Sequence, residues 1–201
     1  MSTAMKRIAH ATALAGLLLA VSACGSSPPA RYYHLEALDA RYDEAVDVTA
    51  GLGVGPLRMP DYLSRSRIVT RRGNAEVTVD DFNRWAEPVD DEVHRILEAS
   101  VDGLLPDLVA IAFPYNHYAD LRGQVIGRID RFDADQDGQV VLLVHWAVME
   151  PDAGFIVAPR RSRFDVHAAV AGDYGSIAAA MSEALAEFSR EIAREFRAAT
   201  E

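Results

Sequence analysis

The sequence predicts an α/β fold: a single-domain, mixed and largely antiparallel sheet with two main helices packed against it. Short apolar runs separated by turn residues indicate strands that are mostly linked by hairpins. Two longer segments repeat apolar residues at three- and four-residue steps, as amphipathic helices do. The chain has 201 residues, half of them hydrophobic, which is enough to bury the core of one ordinary domain.

The N-terminus has the layout of a secretory signal peptide. Lys6 and Arg7 precede an apolar run that is shorter than the roughly 20 residues a bilayer span requires. Small residues at 22 and 23 then lead to Cys24, and this segment resembles a bacterial lipobox, in which cleavage leaves an acylated cysteine at the new N-terminus. We expect residues 1–23 to be a lipoprotein-type signal peptide.

A lipid on Cys24 would anchor the mature chain without a membrane span. Each buried methylene contributes about 0.8 kcal/mol, so one acyl chain holds weakly and several hold firmly. Residues 24–30 are predicted to be the lipidated N-terminus and a short linker, because small and polar residues follow the cysteine. Residues 31–201 form the predicted periplasmic α/β domain.

The predicted strand Val46–Leu57 carries glycines at positions 51, 53 and 55, all on one face. Missing side chains there permit close packing or a bulge. A dinucleotide-binding loop needs a helix directly afterwards, which Pro56 opposes. The other predicted strands are Tyr32–Leu38, Ile68–Arg71, Glu76–Val79, Val109–Phe113, Gln124–Phe132, Val140–Met149 and Phe155–Val166.

Turn and cap residues delimit these elements. The run Val140–Met149 is apolar on both faces, which predicts a central strand. Pro88 begins the first predicted helix, acids follow it at the positive end of the helix dipole, and Pro106 ends it. Asp173 or Ser176 caps the second helix, whose apolar stripe is Ile177, Met181, Leu185, Phe188, Ile192 and Phe196.

Composition excludes several classes of function. Loss of residues 1–23 removes two basic residues and no acid, which takes the formal net charge from −10 to −12 and opposes nucleic-acid binding. No lysine follows Lys6, which excludes a phosphate-loop ATPase and Schiff-base chemistry. Cys24 is the one cysteine, so no intramolecular disulfide can form.

No catalytic or metal-binding pattern emerges. The segment DADQDG, from Asp133 to Gly138, begins like a calcium loop, but Val144 occupies the position of the required glutamate, so a hairpin turn is predicted. The histidines lack metal-ligand spacing, and His145, on an apolar strand, is predicted to be a core histidine. No nucleophile elbow occurs. We therefore predict no enzyme, metal or cofactor; a hydrolase would need a nucleophile and base about 3 Å apart in a cleft.

Aromatic residues lie among several arginines between Met59 and Pro88. This combination is typical of protein interfaces, but arginines also stack on aromatic rings at the edge of a core. Both interpretations stay open for the candidate residues Tyr62, Arg65, Arg67, Arg71, Arg84, Trp85 and Glu87.

Three segments and the lipobox together resemble the ABC-type transport auxiliary lipoproteins, the PqiC-like family of bacterial envelope proteins associated with membrane integrity. The segments are YYHLEAL, GVGPLRMPDYLSRSRIVTR and FNRWAEPVDDEVHRILEASVDGLLP, and the resemblance covers most of the mature chain. The sequence departs from the family pattern at two places: Met59 stands where leucine is expected, and Arg71 is followed by a second arginine, Arg72.

The resemblance implies a non-catalytic outer-membrane lipoprotein on the periplasmic face. Its implied partners are an MCE-domain protein and an inner-membrane permease or ATPase that together move lipid between membranes. Gly25 after the cysteine fits the outer-membrane destination. Partners in such systems are oligomeric rings, so self-association is a further expectation.

The candidate residues would then form either a docking surface or the scaffold beneath it. Trp85, followed by Ala-Glu-Pro at a helix entrance, favours a packing plug and hence the scaffold. The alternative function is a periplasm-facing lipoprotein that itself binds a lipid or other apolar ligand, which requires an apolar cavity of several hundred cubic ångströms.

Overall fold

The computed structural model describes residues 28–38, 50–115, 120–150 and 154–201. Within these ranges the chain forms eight strands and two helices. In chain order they are β1 (Arg31–Tyr33), β2 (Gly51–Arg58), β3 (Arg67–Arg72), β4 (Glu76–Trp85), α1 (Val89–Leu104), β5 (Val109–Ala112), β6 (Leu121–Asp135), β7 (Gln139–Glu150), β8 (Gly154–His167) and α2 (Tyr174–Thr200).

Strand β6 organises the sheet because its length lets two strands share one of its edges. Its first half pairs with β2, and its last residues, Ala134 and Asp135, pair with β3. β7 lies along the opposite edge, and β8 lies beyond β7. β5 extends the sheet beyond β2, while β4 and then β1 extend it beyond β3.

The sheet is mixed and largely antiparallel, which confirms the predicted fold class. The hairpin pairs β3–β4, β6–β7 and β7–β8 are antiparallel and contain most of the paired residues. The four other pairings, β1–β4, β2–β5, β2–β6 and β3–β6, are parallel, which the hairpin signals alone did not predict. β7 has partners on both sides, so its predicted central position is also confirmed.

Strand β1 is shorter than the predicted Tyr32–Leu38. The backbone amides that follow Tyr33 bond to helix side chains instead of a neighbouring strand. Leu35 N donates to Glu92 Oε1 on α1 at 2.8 Å, and Leu38 N donates to Ser100 Oγ on the same helix at 3.0 Å. Glu36 N donates to Ser182 Oγ on α2 at 3.0 Å. This segment therefore fastens the N-terminal part of the described chain to both helices.

Both predicted helices are present and cover the same core. Asp173 caps α2, since its Oδ1 accepts the backbone amide of Ser176 at 2.8 Å. The Trp146 ring of β7 packs edge-on against Phe188 of α2, with ring centroids 5.6 Å apart. α2 therefore covers one face of β7 and β8. Neither helix in the described ranges has the length and hydropathy to span a bilayer.

The glycines of β2 permit close packing, as predicted. A Cβ on Gly53 would lie 2.8 Å from the Tyr115 ring, and one on Gly55 would lie 2.7 Å from the His94 ring. Gly55 also has a φ of +103°, a conformation that favours glycine. The register between β2 and β6 shifts between Val54 and Leu57, so the strand is irregular at this point.

Candidate functional site

The predicted site residues separate into a buried group and a surface group. Cys24 lies outside the described residues. Trp85 is buried, and Tyr62 and Arg71 are half-buried around one carboxylate. Arg65, Arg67, Arg84 and Glu87 lie at the surface, with Arg84 partly covered.

Tyr62 and Arg71 belong to a structural cluster that also contains Arg131 and Asp133, here called the Asp133 cluster. Asp133 is on β6 and is fully buried. Its Oδ2 accepts from Arg71 Nη2 at 2.7 Å and from Tyr62 Oη at 2.9 Å. Its Oδ1 accepts from Arg131 Nε at 2.7 Å and from Arg71 Nε at 3.1 Å. Each carboxylate oxygen therefore has two donors.

The protonation states of the Asp133 cluster are fixed by these contacts. Burial alone would raise the pKa of Asp133, but hydrogen bonds from Arg71, Arg131 and Tyr62 hold it below its ordinary value. Burial, together with the adjacent Asp133 carboxylate, raises the pKa of Tyr62 to about 12. Asp133 is therefore ionised and Tyr62 protonated at neutral pH, as a structural ion cluster requires.

The DADQDG segment forms the predicted turn between β6 and β7. Its first carboxylate, Asp133, is occupied by the cluster. Its second, Asp135, accepts the backbone amides of Asp137 and Gln139 through Oδ1 at 3.0 and 2.9 Å. Gly138 closes the turn with a φ of +82°. The acidic residues thus build the hairpin itself.

Trp85 ends β4 at the entrance to α1. Its side chain is 5% exposed and belongs to the main hydrophobic core, and its backbone amide donates to Ser66 O at 2.8 Å. A large ring in this position joins the β3–β4 hairpin to the helix that follows. The burial is that of a packing residue and supports the scaffold interpretation for Trp85.

The surface group is held only by weak contacts. Arg67 pairs with Asp81 at 3.1 Å, and both side chains are largely exposed. Glu87 approaches Arg95 at 3.9 Å, again at the surface. The Arg65 side chain has no ion-pair partner in the described ranges. Exposed pairs contribute about 0–1 kcal/mol, so these groups can exchange partners at little cost.

A second basic cluster, which sequence analysis missed, lies on the open face of the sheet. Strand register places Arg58 of β2 opposite Arg128 of β6, Arg128 opposite His145 of β7, and His145 opposite Arg161 of β8. We call these four residues the basic row. Their neighbours in sequence, Trp146 and Ser162, point to α2, so the row lies on the other face.

The prediction that His145 is a core histidine is wrong, because its side chain is 28% exposed on that open face. Its Nε2 lies 2.9 Å from Asp130 Oδ2 and 2.8 Å from Arg161 Nε. One ring nitrogen cannot donate and accept at once, so His145 bonds to Asp130 or Arg161 according to its tautomer. Asp130 also pairs with Arg128 at 2.8 Å.

The basic row borders a broad groove with a volume of about 910 Å³. Apolar residues from β2, β6, β7 and β8 form its floor: Pro56, Ile126, Ala147, Met149 and Phe155. Phe155 is 55% exposed, which is unusual for a phenylalanine on a strand. No run of sequence contains this site, since consecutive members of the basic row are 16 to 70 residues apart and only the strand register brings them together.

Across the four described ranges, no group of three or more histidine, cysteine or acidic side chains is placed to hold a metal ion.

The fold is shared with solved structures. A crystal structure of an uncharacterized protein matches with a TM-score of 0.67 at 21% identity. The match covers 84% of this chain and 99% of that protein's chain. A crystal structure of a Xanthomonas campestris protein has a TM-score of 0.65 at 16% identity, and covers 82% of this chain and 93% of its own. At such low identity the likeness concerns the fold alone.

Sequence comparison adds the family. Curated relatives from Escherichia coli (strain K12) and Shigella flexneri, each called intermembrane transport lipoprotein PqiC, are 25% identical over 95 residues, which is 47% of this chain and 49% of each relative. The chain thus spans about half the length of these relatives. The family profile of the ABC-type transport auxiliary lipoprotein component matches residues 33–193. The chain therefore belongs to the family of ABC-type transport auxiliary lipoproteins.

Proposed function

We propose that this protein is a non-catalytic accessory subunit of an MCE/ABC-type system that transports lipid between membranes. In this role it docks the periplasmic assembly at the outer membrane. The observation that carries the proposal is family membership over residues 33–193, which includes nearly all of the described fold. The name of the PqiC relatives supports intermembrane transport as the process that it serves.

The proposed anchor is a lipid on Cys24, with residues 1–23 removed as a signal peptide. Cys24→Ala should release the protein from the outer-membrane fraction and abolish incorporation of a labelled palmitate analogue. Ser27→Ala, three residues further along, is the matched control and should leave both unchanged. Unchanged fractionation of the Cys24→Ala protein would refute the anchor.

The proposed partners are an MCE-domain protein and the permease or ATPase of the same system. Lipidated full-length protein, captured from an envelope extract, should co-purify with the MCE-domain protein, identified by mass spectrometry. Absence of any MCE-domain protein, with the bait folded and abundant, would count against the proposed function. Self-association is part of the same proposal, and the mass of the purified protein in detergent measures it.

The surface group supplies a docking surface in this proposal, while Trp85 and the Asp133 cluster form the scaffold beneath it. The charged residues Arg65, Arg67, Arg84 and Glu87 are exposed or partly exposed and weakly paired, so they are available to a partner. Arg65→Ala combined with Arg84→Ala should reduce capture of the MCE-domain protein at least fivefold without changing the unfolding midpoint. Arg190→Ala, which removes an exposed arginine of α2, is the control. If the double variant captures the MCE-domain protein as well as the Arg190→Ala control does, the docking surface lies elsewhere.

A second candidate function is that the domain itself binds a lipid or other apolar ligand. The groove on the open face favours it, because its volume of about 910 Å³ lies within the range of about 300–1,000 Å³ that small-molecule sites occupy. The groove lies on the face of the sheet opposite α2, where a ligand could reach it without displacing the buried core.

A further inference from the structure

The charge of the groove is opposite to that of the chain. The protein has 30 acidic and 20 basic residues, with a formal net charge of −10. Among the described residues that line the groove, four are arginines and none is an acid. A positive surface on an acidic protein locally concentrates anions.

The basic row is also poorly neutralised from within. Residues directly opposite on neighbouring strands lie about 5 Å apart, and like charges in such positions destabilise a sheet. Asp130 offsets part of the charge through its ion pair with Arg128. Arg58 has no ion-pair partner in the described ranges. A local conflict of this kind, compensated only in part within the protein, is typical of a functional site.

The apolar floor begins directly beside the row. Ile126 precedes Arg128 by two residues on β6, and Ala147 follows His145 by two residues on β7, so each pair projects from the same face. Met149 and Phe155 continue the floor away from the row. A molecule lying across this surface would meet positive charge at one end and hydrocarbon at the other.

We propose that the groove binds an anionic amphiphile, with its acyl chain on the apolar floor and its carboxylate or phosphate at the basic row. Arginine suits this head group because its planar guanidinium donates two parallel hydrogen bonds to a carboxylate or phosphate. The inference rests on the second candidate function and makes no use of the docking surface. The head group can come from a free fatty acid or from an anionic phospholipid, which share this chemistry.

Photolabelling of the lipidated full-length protein in phosphatidylcholine nanodiscs tests the proposal. The probes are a photoactivatable palmitic acid, its methyl ester, and photoactivatable phosphatidylglycerol and phosphatidylcholine. Mass spectrometry then locates the labelled peptides. The anionic probes should label peptides of β6, β7 and β8 at least fivefold more than their uncharged or zwitterionic counterparts.

Variants separate the two parts of the groove. Arg58→Gln with Arg161→Gln should reduce labelling by the anionic probes at least fivefold while leaving the methyl ester unchanged. Ile126→Asp should reduce labelling by every probe. Arg190→Gln on α2 is the matched control and should leave labelling intact. Both arginines of the double variant are exposed on the sheet surface, and the unfolding midpoint verifies that the protein is folded.

The labelling pattern distinguishes the possible ligands of the groove. Labelling by palmitic acid alone identifies a free fatty acid, labelling by phosphatidylglycerol alone identifies a membrane lipid, and both outcomes support the proposal. Equal labelling by charged and neutral probes, or labelling away from the groove, overturns it. Protection of the groove by a captured protein, without labelling of the isolated chain, also overturns it and makes the groove a protein contact. Because the assay needs no partner, its failure is distinct from a failed capture of the MCE-domain protein.

Discussion

The Asp133 cluster and the basic row contain similar residues and differ in how their charge is balanced. In the cluster, Arg71 and Arg131 surround a carboxylate that is completely buried. In the row, the partly exposed carboxylate of Asp130 pairs with Arg128 alone among the three arginines, and the row borders an apolar groove. A hydrogen bond from Arg128 lowers the pKa of Asp130, so this carboxylate stays charged, but it cannot neutralise the whole row.

The comparison shows that arginine content alone does not distinguish structure from function. An arginine whose counter-ion is buried beside it contributes to the fold, and its removal leaves a charge without a partner. An arginine whose counter-ion is missing is available to a ligand. Four substitutions or conditions test this difference, from the largest expected effect on stability to the smallest.

Trp85→Ala should have the largest effect, because it empties a large site next to the hairpin that carries Arg71. Truncation of a buried aromatic residue costs about 3–5 kcal/mol in free energy of unfolding. Urea denaturation measures the change, with Trp85→Phe as the smaller perturbation. A cost below about 1 kcal/mol would show that Trp85 is not a packing plug and would reopen its assignment to the docking surface.

Asp133→Ala should destabilise the protein by about 3 kcal/mol, since it leaves Arg71 and Arg131 facing each other without their carboxylate. The value is at the lower end of the range for broken buried pairs because both arginines retain some contact with solvent. Asp137→Ala, in the exposed turn of the same hairpin, is the control. If both variants lose equally little stability, the Asp133 carboxylate is no more important to the fold than an exposed acid.

Acid should act through the same carboxylate, with a smaller effect over the accessible range. The pKa of Asp133 is lowered in the folded state from an ordinary value of 3.8, so its stabilisation is complete above that pH and is lost as pH falls below it. The free energy of unfolding should therefore fall more steeply below about pH 3.8 in the natural protein than in Asp133→Asn. Parallel pH profiles would contradict the assignment.

Arg128→Gln should change stability least, by no more than about 0.5 kcal/mol and in either direction. Loss of the exposed pair with Asp130 is offset by relief of repulsion from Arg58. Thermal unfolding at low and high salt checks both contributions. A loss above about 2 kcal/mol would make the basic row as structural as the Asp133 cluster and would remove the contrast between them.

Most of the fold could be predicted from the sequence because its signals are local. The apolar stripes predicted α1 and α2, and turn residues predicted the β3–β4 and β6–β7 hairpins. The predicted end of β4 at Val79 was too early, since Asp80 and Asp81 look like a break in the strand. In the structure, Asp80 Oδ1 accepts the amides of Phe82 and Asn83 at 2.8 and 2.6 Å, and the strand continues to Trp85.

The candidate site could be predicted only in part, because the pairing register of distant strands brings many of its residues together. Tyr62 and Arg71 are close in sequence and were predicted as members of one candidate group. Their partner Asp133 lies more than 60 residues away and was not included in that group. The basic row is assembled from four strands, and the pairing of β2 with β6 cannot be chosen before the order of the sheet is known. A parallel pairing such as β2 with β6 leaves no local signal in the sequence.

The segment after β1 has a mechanical consequence. If a lipid on Cys24 holds the chain at a membrane, the seven residues to Arg31 can extend at most about 25 Å. Any pull between membrane and domain is then carried by β1 and by the bonds of Leu35, Glu36 and Leu38 to the two helices. Force on the tether would be spread over both helices. The domain would therefore move as one unit and stay close to the membrane surface.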